Sequence, residues 1–121
     1  MPTTHLFEHA TDAKGVPAGT TLFRAGDPRD FMYAVVDGQV DLFVGGKLVE
    51  TVEAGGIFGE MALIDREART ATAVARTDAR VVAVDERRFL FLVQQTPNFS
   101  LHLMRVLSER LRRMDRLVAQ S

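Results

Sequence analysis

The strongest constraint on the fold is a change of sequence pattern at Asp85. From Gly19 to Asp85, short runs rich in Val, Phe and Thr alternate with turn residues, and Asp37-Gly38 and Gly45-Gly46 favour tight hairpins. Short strands at such even spacing are typical of a sandwich, a jelly roll or a small barrel. The predicted strands are Thr20–Arg24, Phe31–Val36, Gln39–Val44, Lys47–Val52, Ala71–Ala75 and Arg80–Val84.

After Asp85 the apolar residues recur with the period of an α-helix. Asp85 is a suitable N-cap for a first helix, which Pro97 ends. Thr96 and Pro97 then suit the N-cap and the first position of a second helix. A further short helix is predicted over His5–Asp12. The apolar face of the first helix consists of Phe89, Leu92 and Val93.

The second helix carries an apolar stripe whose members are spaced alternately three and four positions apart, which is a heptad pattern. Such a stripe packs either on its own domain or against its copy in a homodimer, and the sequence leaves both interpretations open. The stripe consists of Met104, Leu107, Leu111, Met114 and Val118.

Length and composition indicate one globular domain. The 121 residues can bury a single core, so residues 1–121 are expected to form one domain, with a β-roll over about 15–85 and C-terminal helices over about 86–120. No apolar run approaches the roughly 20 residues of a membrane-spanning helix, and the N-terminus lacks the blocks of a secretory signal. The absence of cysteine excludes disulfides and suits the cytoplasm.

The net charge of −1 hides a basic C-terminal segment, because residues 85–121 contain 7 arginines against 4 acidic side chains. Acidic residues are interleaved with these arginines, so a solvated helix face is favoured over a nucleic-acid surface.

Two charged residues, Glu60 and Arg69, lie within a stretch that otherwise has the pattern of strands and turns. A buried unpaired charge is costly, so both need a partner. Gly59 permits an unusual backbone angle or a close approach, and a short helical turn after it would favour an anion. The guanidinium of Arg69 matches a phosphate, and the carboxylate of Glu60 suits a sugar hydroxyl. From spacing alone, a structural Glu60–Arg69 salt bridge remains an equal alternative.

The segment Phe58-Gly-Glu-Met-Ala-Leu-Ile-Asp-Arg-Glu-Ala-Arg-Thr-Ala-Thr72 resembles the phosphate-binding cassette of the cyclic nucleotide-binding domain family. The runs Pro17–Pro28, Met32-Tyr33 and Val36–Val40 are similar to the β-roll signature of that family. The resemblance covers roughly residues 15–115. It implies a mainly β fold, a double-stranded β-helix (jelly roll) followed by a hinge helix and C-terminal helices.

The resemblance also implies the ligand-binding residues. Glu60 would accept a hydrogen bond from the ribose 2′-hydroxyl, and Arg69 would bind the cyclic phosphate. A hydroxyl at Thr70 hints at tolerance of cyclic GMP. The residue that covers the base would come from the last helix, with Arg110, Arg112 and Arg113 as candidates. The other implied site residues are Gly59, Met61, Ala62, Leu63, Thr70 and Ala71.

By the same resemblance, the chain is expected to be a stand-alone, non-enzymatic sensor of cAMP or cGMP. The hinge helix Glu86–Gln95 would move on binding, and an effector protein, unidentified by the sequence, would receive the signal. No DNA-binding domain, membrane segment or metal cofactor is expected in these 121 residues.

The main alternative is a degenerate roll that serves as an interaction or dimerisation piece without a ligand. A fragment of a longer regulator is also compatible with the sequence. A cupin-like metalloenzyme is disfavoured, since the three histidines, His5, His9 and His102, lie outside the predicted strands.

Overall fold

The computed structural model describes residues 6–27, 31–64, 69 and 71–119. Among these residues, eight strands are followed by two long helices, and a single helical turn lies between the sixth and seventh strands. The strands are β1 (Lys14–Val16), β2 (Thr21–Phe23), β3 (Met32–Asp37), β4 (Gln39–Val44), β5 (Lys47–Glu53), β6 (Ile57–Phe58), β7 (Thr72–Ala75) and β8 (Ala79–Val84). The helices are α1 (Met61–Ile64), α2 (Glu86–Gln95) and α3 (Pro97–Ala119).

The strands form two antiparallel sheets that face each other. One sheet has the order β1-β8-β3-β6 and the other has the order β2-β7-β4-β5. The chain changes sheet repeatedly, because β6 and β8 belong to one sheet while β5 and β7 belong to the other. This arrangement confirms the predicted mainly β roll with C-terminal helices.

All six predicted strands are present, and β4 has the predicted bounds. Two strands were missed. β1 spans only three residues and β6 only two, so neither is long enough to show a period of two in the sequence. β6 nevertheless pairs with β3, where Ile57 lies opposite Ala34 and Phe58 opposite Tyr33.

The predicted helix over His5–Asp12 is wrong for the part that the structure describes. Residues 6–9 and 11–12 form turns, and the Ala10 N–H donates to the Phe7 carbonyl at 3.1 Å, which is a turn bond rather than a helical one. Short isolated helices are marginal in water, and here the burial of Phe7 against the core fixes the segment instead. His5 lies outside the described residues.

The helix boundaries follow the predicted capping residues. Asp85 has an extended backbone, and its side chain accepts a hydrogen bond from the Arg88 N–H at 2.8 Å, as an N-cap does. Pro97 is the first residue of α3, as predicted. Thr96 was predicted as the N-cap of that helix, whereas the structure gives it as the C-cap of α2, with its N–H donating to the Leu92 carbonyl at 2.9 Å. Within the described residues, no helix is both long and apolar enough to cross a membrane.

Two hydrophobic clusters form the core. One lies between the two sheets and includes Phe23 and Phe58. The other lies between the β1-β8-β3-β6 sheet and the helices, where Phe89 of α2 meets Phe99 of α3 edge to face at 6.0 Å. The helices therefore cover one sheet, and β6 contributes to both clusters, Phe58 to the first and Ile57 to the second.

The buried face of α3 differs from the heptad stripe. Phe99, Leu103 and Val106 are buried, and Leu107 is the one stripe member that packs against the core. The other stripe members, Met104, Leu111, Met114 and Val118, are exposed.

Candidate functional site

The site is built around the turn that joins β6 to α1. Gly59 has φ of +78°, a conformation that L side chains rarely adopt. A Cβ atom there would also lie 2.8 Å from the Nη1 of Arg69 and 3.4 Å from the Phe31 carbonyl oxygen. Both the backbone angle and the close approach of Arg69 therefore require glycine.

Arg69 lies inside the roll, with 6% of its surface exposed. Its Nη1 donates to the Gly59 carbonyl at 3.0 Å, and its Nη2 donates to the Phe31 carbonyl. The guanidinium carbon lies 4.1 Å from the centre of the Phe23 ring, a cation–π distance. The Arg69 backbone is also held, because its N–H donates to Asp27 at 3.1 Å. The guanidinium is thus fixed beside the Gly59 turn.

Three aromatic rings lie on the Arg69 side of the turn. The ring of Tyr33 stacks on that of Phe58 at 5.3 Å between centroids and on that of Phe23 at 5.9 Å. The sequence pattern placed these residues in or beside strands, but it gave no sign that the rings meet. The guanidinium carbon of Arg69 lies within cation–π distance of two of these rings, 4.1 Å from the centre of Phe23 and 6.0 Å from that of Tyr33.

Glu60 is the most deeply buried charged residue described, with 2% exposure. Its Oε1 accepts a hydrogen bond from the Nη1 of Arg110, so the carboxylate pairs with Arg110 rather than with Arg69. Its Oε2 is buried and has no hydrogen-bond partner among the described residues. A buried acceptor without a partner costs about 1–3 kcal/mol, so a donor placed at Oε2 would be favoured.

Arg110 reaches this carboxylate from the middle of α3. Its Nε and Nη2 donate to the two oxygens of Glu50 at 2.9 and 3.2 Å, and Nη2 also donates to the Ile57 carbonyl. Burial lowers the pKa of Arg110, but the charge of Glu60 together with the charge and hydrogen bonds of Glu50 outweighs it and raises that pKa above its ordinary value. The guanidinium therefore stays charged between two carboxylates.

Among the three predicted base-covering candidates, Arg110 is the one that contacts Glu60. Arg113 lies 3.9 Å from Glu50, and Arg112 is exposed and pairs loosely with Glu109 at 3.6 Å. The solvated-face interpretation holds for Arg112 and is wrong for Arg110, because the sequence does not show that Glu50 and Glu60 face α3.

Glu50 is the residue that the sequence analysis missed. It lies on β5 and has 5% exposure. A signal was present, since strand alternation places Glu50 on the same face as Val52, which is fully buried. A carboxylate on the inward-facing side of a strand needs a charged partner, so the sequence indicated that an arginine or lysine elsewhere in the chain pairs with Glu50.

The other predicted site residues lie in or next to α1. Met61 is exposed, and Ala62 follows it in the helical turn. The Leu63 N–H donates to the Glu60 carbonyl at 3.0 Å, and Ala71 lies immediately before β7. Thr70 falls outside the described residues. In the described part of the chain, no three His, Cys, Asp or Glu side chains are grouped so as to hold a metal ion.

Comparison with known proteins matches this geometry to one family. The family model described as "Cyclic nucleotide-binding domain" matches residues 13–96. The cAMP-dependent protein kinase regulatory subunit of Mucor circinelloides f. lusitanicus is 40% identical over 77 residues, which are 64% of this chain and 18% of that protein. The Cyclic AMP receptor protein of Thermus thermophilus is 35% identical over 104 residues, covering 82% of this chain and 48% of that protein. The chain spans less than half the length of either relative.

Solved structures show the same fold. The Catabolite Activator Protein of Thermus thermophilus superposes with a TM-score of 0.78 at 32% identity, covering 89% of this chain and 53% of that one. For the cAMP-bound PfPKA-R the TM-score is 0.75 at 26% identity, with coverage of 87% and 36%. For the cGMP-bound form of the EAL enzyme Bd1971 it is 0.65 at 30% identity, with coverage of 89% and 30%. Since the matched region contains the roll, the Gly59 turn and Arg69, this chain belongs to the cyclic nucleotide-binding domain family.

Proposed function

We propose that this chain is a non-enzymatic regulatory module that binds cAMP or cGMP. The observation that supports it most directly is the Oε2 of Glu60, a buried carboxylate oxygen with no partner among the described residues. An ionised carboxylate only accepts hydrogen bonds, so the group that fits it is a donor such as the ribose 2′-hydroxyl. Structures of two related proteins carry cAMP and cGMP.

Arg69 supplies the other half of the recognition. Its guanidinium is held against the carbonyl of Gly59, the residue directly before Glu60, so the cation lies beside the turn that carries the hydroxyl acceptor. A cyclic nucleotide presents its phosphate and its 2′-hydroxyl on the same sugar ring, which matches this arrangement. Each charge-assisted hydrogen bond contributes about 1.5–3 kcal/mol. The remaining proposed contacts, all at or near α1 and the start of β7, are Met61, Ala62, Leu63, Thr70 and Ala71.

The same geometry supports a path by which nucleotide binding could alter the C-terminal helices. Arg110 on α3 touches Glu60, so a ligand that binds Glu60 acts on the helix through one side chain. The hinge helix α2 packs against α3 and would move with it. A shift of this kind requires that the nucleotide bind one helix arrangement better than the other. We place this sensor in the cytoplasm, which the lack of cysteine suits, and we propose that it signals by binding an effector protein.

The exposed part of the α3 stripe supports a homodimer. Leu111 is 65% exposed and Val118 is 72% exposed, so both apolar side chains point away from the buried face of α3. Exposed apolar residues at heptad spacing are suited to pair with a second copy of the helix.

The proposed binding is tested by titration calorimetry with cAMP and with cGMP. Wild-type protein should release heat with at least one of them, and that ligand should raise the melting temperature. Glu60→Gln removes the ribose acceptor and Arg69→Lys removes the planar fork, so each should weaken binding about 10-fold or more. Arg76→Lys, at an exposed arginine, is the matched control and should bind as wild type does.

If neither nucleotide gives heat or thermal stabilisation at high protein concentration, the chain is not a sensor, and the interaction-piece alternative replaces this proposal. If Arg69→Lys binds normally while the far-UV dichroism is native, the arginine has only a structural role.

A further inference from the structure

Glu50 is a buried carboxylate of the site for which the proposed ligand contacts give no role. Its two oxygens accept hydrogen bonds from the Nε and Nη2 of Arg110, at 2.9 and 3.2 Å. Only the Nη1 of that guanidinium is directed to Glu60, and it contacts Oε1 alone. Arg110 therefore directs two of its donor nitrogens to Glu50 and one to Glu60.

We infer that Glu50 is a positioning residue that keeps one oxygen of Glu60 available to the ribose. This inference rests on the proposed function. An arginine beside a single carboxylate prefers a bidentate contact, in which two N–H groups take both oxygens. Glu50 occupies the Nε–Nη2 edge of Arg110 in this way, and the Ile57 carbonyl also accepts from Nη2. Nη1 alone is left for Glu60, so Arg110 orients Glu60 through Oε1 without covering Oε2. Glu50 therefore acts on the ligand only through Arg110.

The surroundings of Arg110 support this assignment. The Nη2 of Arg110 also donates to the carbonyl of Ile57, at the start of β6. Glu50 and Ile57 therefore both anchor the guanidinium to the strands, independently of Glu60. Glu50 has 5% exposure, so water is a poor substitute for it. Without the Glu50 charge, Arg110 would turn toward the remaining carboxylate and compete with the nucleotide for Glu60.

The consequence is specific to one hydroxyl of the ligand. In Glu50→Gln, a nucleotide with a 2′-hydroxyl should lose affinity because Arg110 covers its acceptor. A 2′-deoxy cyclic nucleotide makes no bond to Glu60, so it should lose much less. A merely structural role for Glu50 would weaken both ligands by the same factor.

The experiment compares cAMP, cGMP and their 2′-deoxy analogues by calorimetry on the complete chain. Wild type should bind the ribose form about 10-fold or more tightly than the deoxy form. In Glu50→Gln that ratio should fall to about 3-fold or less, because the lost hydrogen bond is the one that separates the two ligands. Glu53→Gln is the control, since Glu53 is an exposed carboxylate on the same strand, and it should keep the wild-type ratio.

The outcomes separate the two proposals. If wild type binds no cyclic nucleotide, the proposed function fails and this inference with it. If wild type shows the ribose preference and Glu50→Gln keeps it in full, the proposed function stands and the positioning role is overturned.

A measurement on the wild type covers the case in which Glu50→Gln does not fold. The Arg110 Nε–H, bonded to Glu50 at 2.9 Å, should give a protected arginine signal in ¹⁵N NMR spectra, assigned by its loss in Arg110→Lys. We expect that signal to stay protected when the nucleotide binds. Its release into fast exchange on binding would show that Glu50 does not hold Arg110 in the bound state, and would overturn the inference.

Discussion

Replacement of Arg110 by methionine isolates the energetic role of the charged cluster between β5, α1 and α3. Arg110→Met removes one cation that is shared by Glu50 and Glu60, whose exposures are 5% and 2%. Glu60 would remain in the interior without its partner, and among the described residues Glu50 would keep only Arg113, at 3.9 Å. Breaking a buried ion pair from one side costs about 3–5 kcal/mol, because the remaining charge is uncompensated.

The loss should be visible as a shift of the urea midpoint. With a slope of about 2 kcal/mol per molar urea, a loss of 3–5 kcal/mol lowers the midpoint by about 1.5–2.5 M. Arg112→Met is the control, because Arg112 is exposed and its pair with Glu109 is loose at 3.6 Å. That control should change the free energy of unfolding by no more than about 0.5 kcal/mol.

A triple variant tests the cause of the loss. Replacing all three members, in Arg110→Met with Glu50→Met and Glu60→Met, removes every buried charge of the cluster. Replacing all members of a buried ion cluster by apolar residues is often neutral or stabilising. The triple variant should therefore regain most of the urea midpoint that Arg110→Met loses. It should not recover cyclic nucleotide binding, because the proposed ribose acceptor is gone. A midpoint for Arg110→Met within about 0.5 M of wild type would refute the reasoning, as would a triple variant no more stable than the single one.

Two further predictions concern α3. Burial, and then the charge of Arg105, lowers the pKa of His102, so the unfolded state binds more protons and stability is lost as pH falls below about 6.5. The measurement is the difference in the free energy of unfolding by urea between about pH 7.5 and about pH 5.5. His102→Leu should reduce that difference, while His9→Gln, at an exposed histidine, is the control. An unchanged difference in His102→Leu would contradict the role of His102. If the stripe pairs two copies, Leu111→Arg should convert a dimer to a monomer in sedimentation velocity while its far-UV dichroism stays native. A wild type that is monomeric at high concentration would exclude that dimer.

The local features of the fold were predictable because their causes lie close together in the sequence. β4 has its predicted bounds because Gly38 and Gly45, both with positive φ, lie directly before and after it. α2 begins after Asp85 because one side chain caps one nearby N–H. The candidate residues Gly59, Glu60 and Arg69 were likewise identified from one short segment with charges in a strand-and-turn pattern.

The partners of those charges were decided by the tertiary structure alone. Arg110 lies 50 residues from Glu60 and 60 from Glu50, and no local period relates them. The sequence required a partner for each buried charge, since desolvation is costly wherever it occurs. It left Arg69 as an equal candidate for Glu60, whereas packing of α3 on the roll brought Arg110 there and placed Arg69 against carbonyl groups and an aromatic ring. Burial cost is a property of the residue, but the identity of the compensating group depends on which distant segments meet.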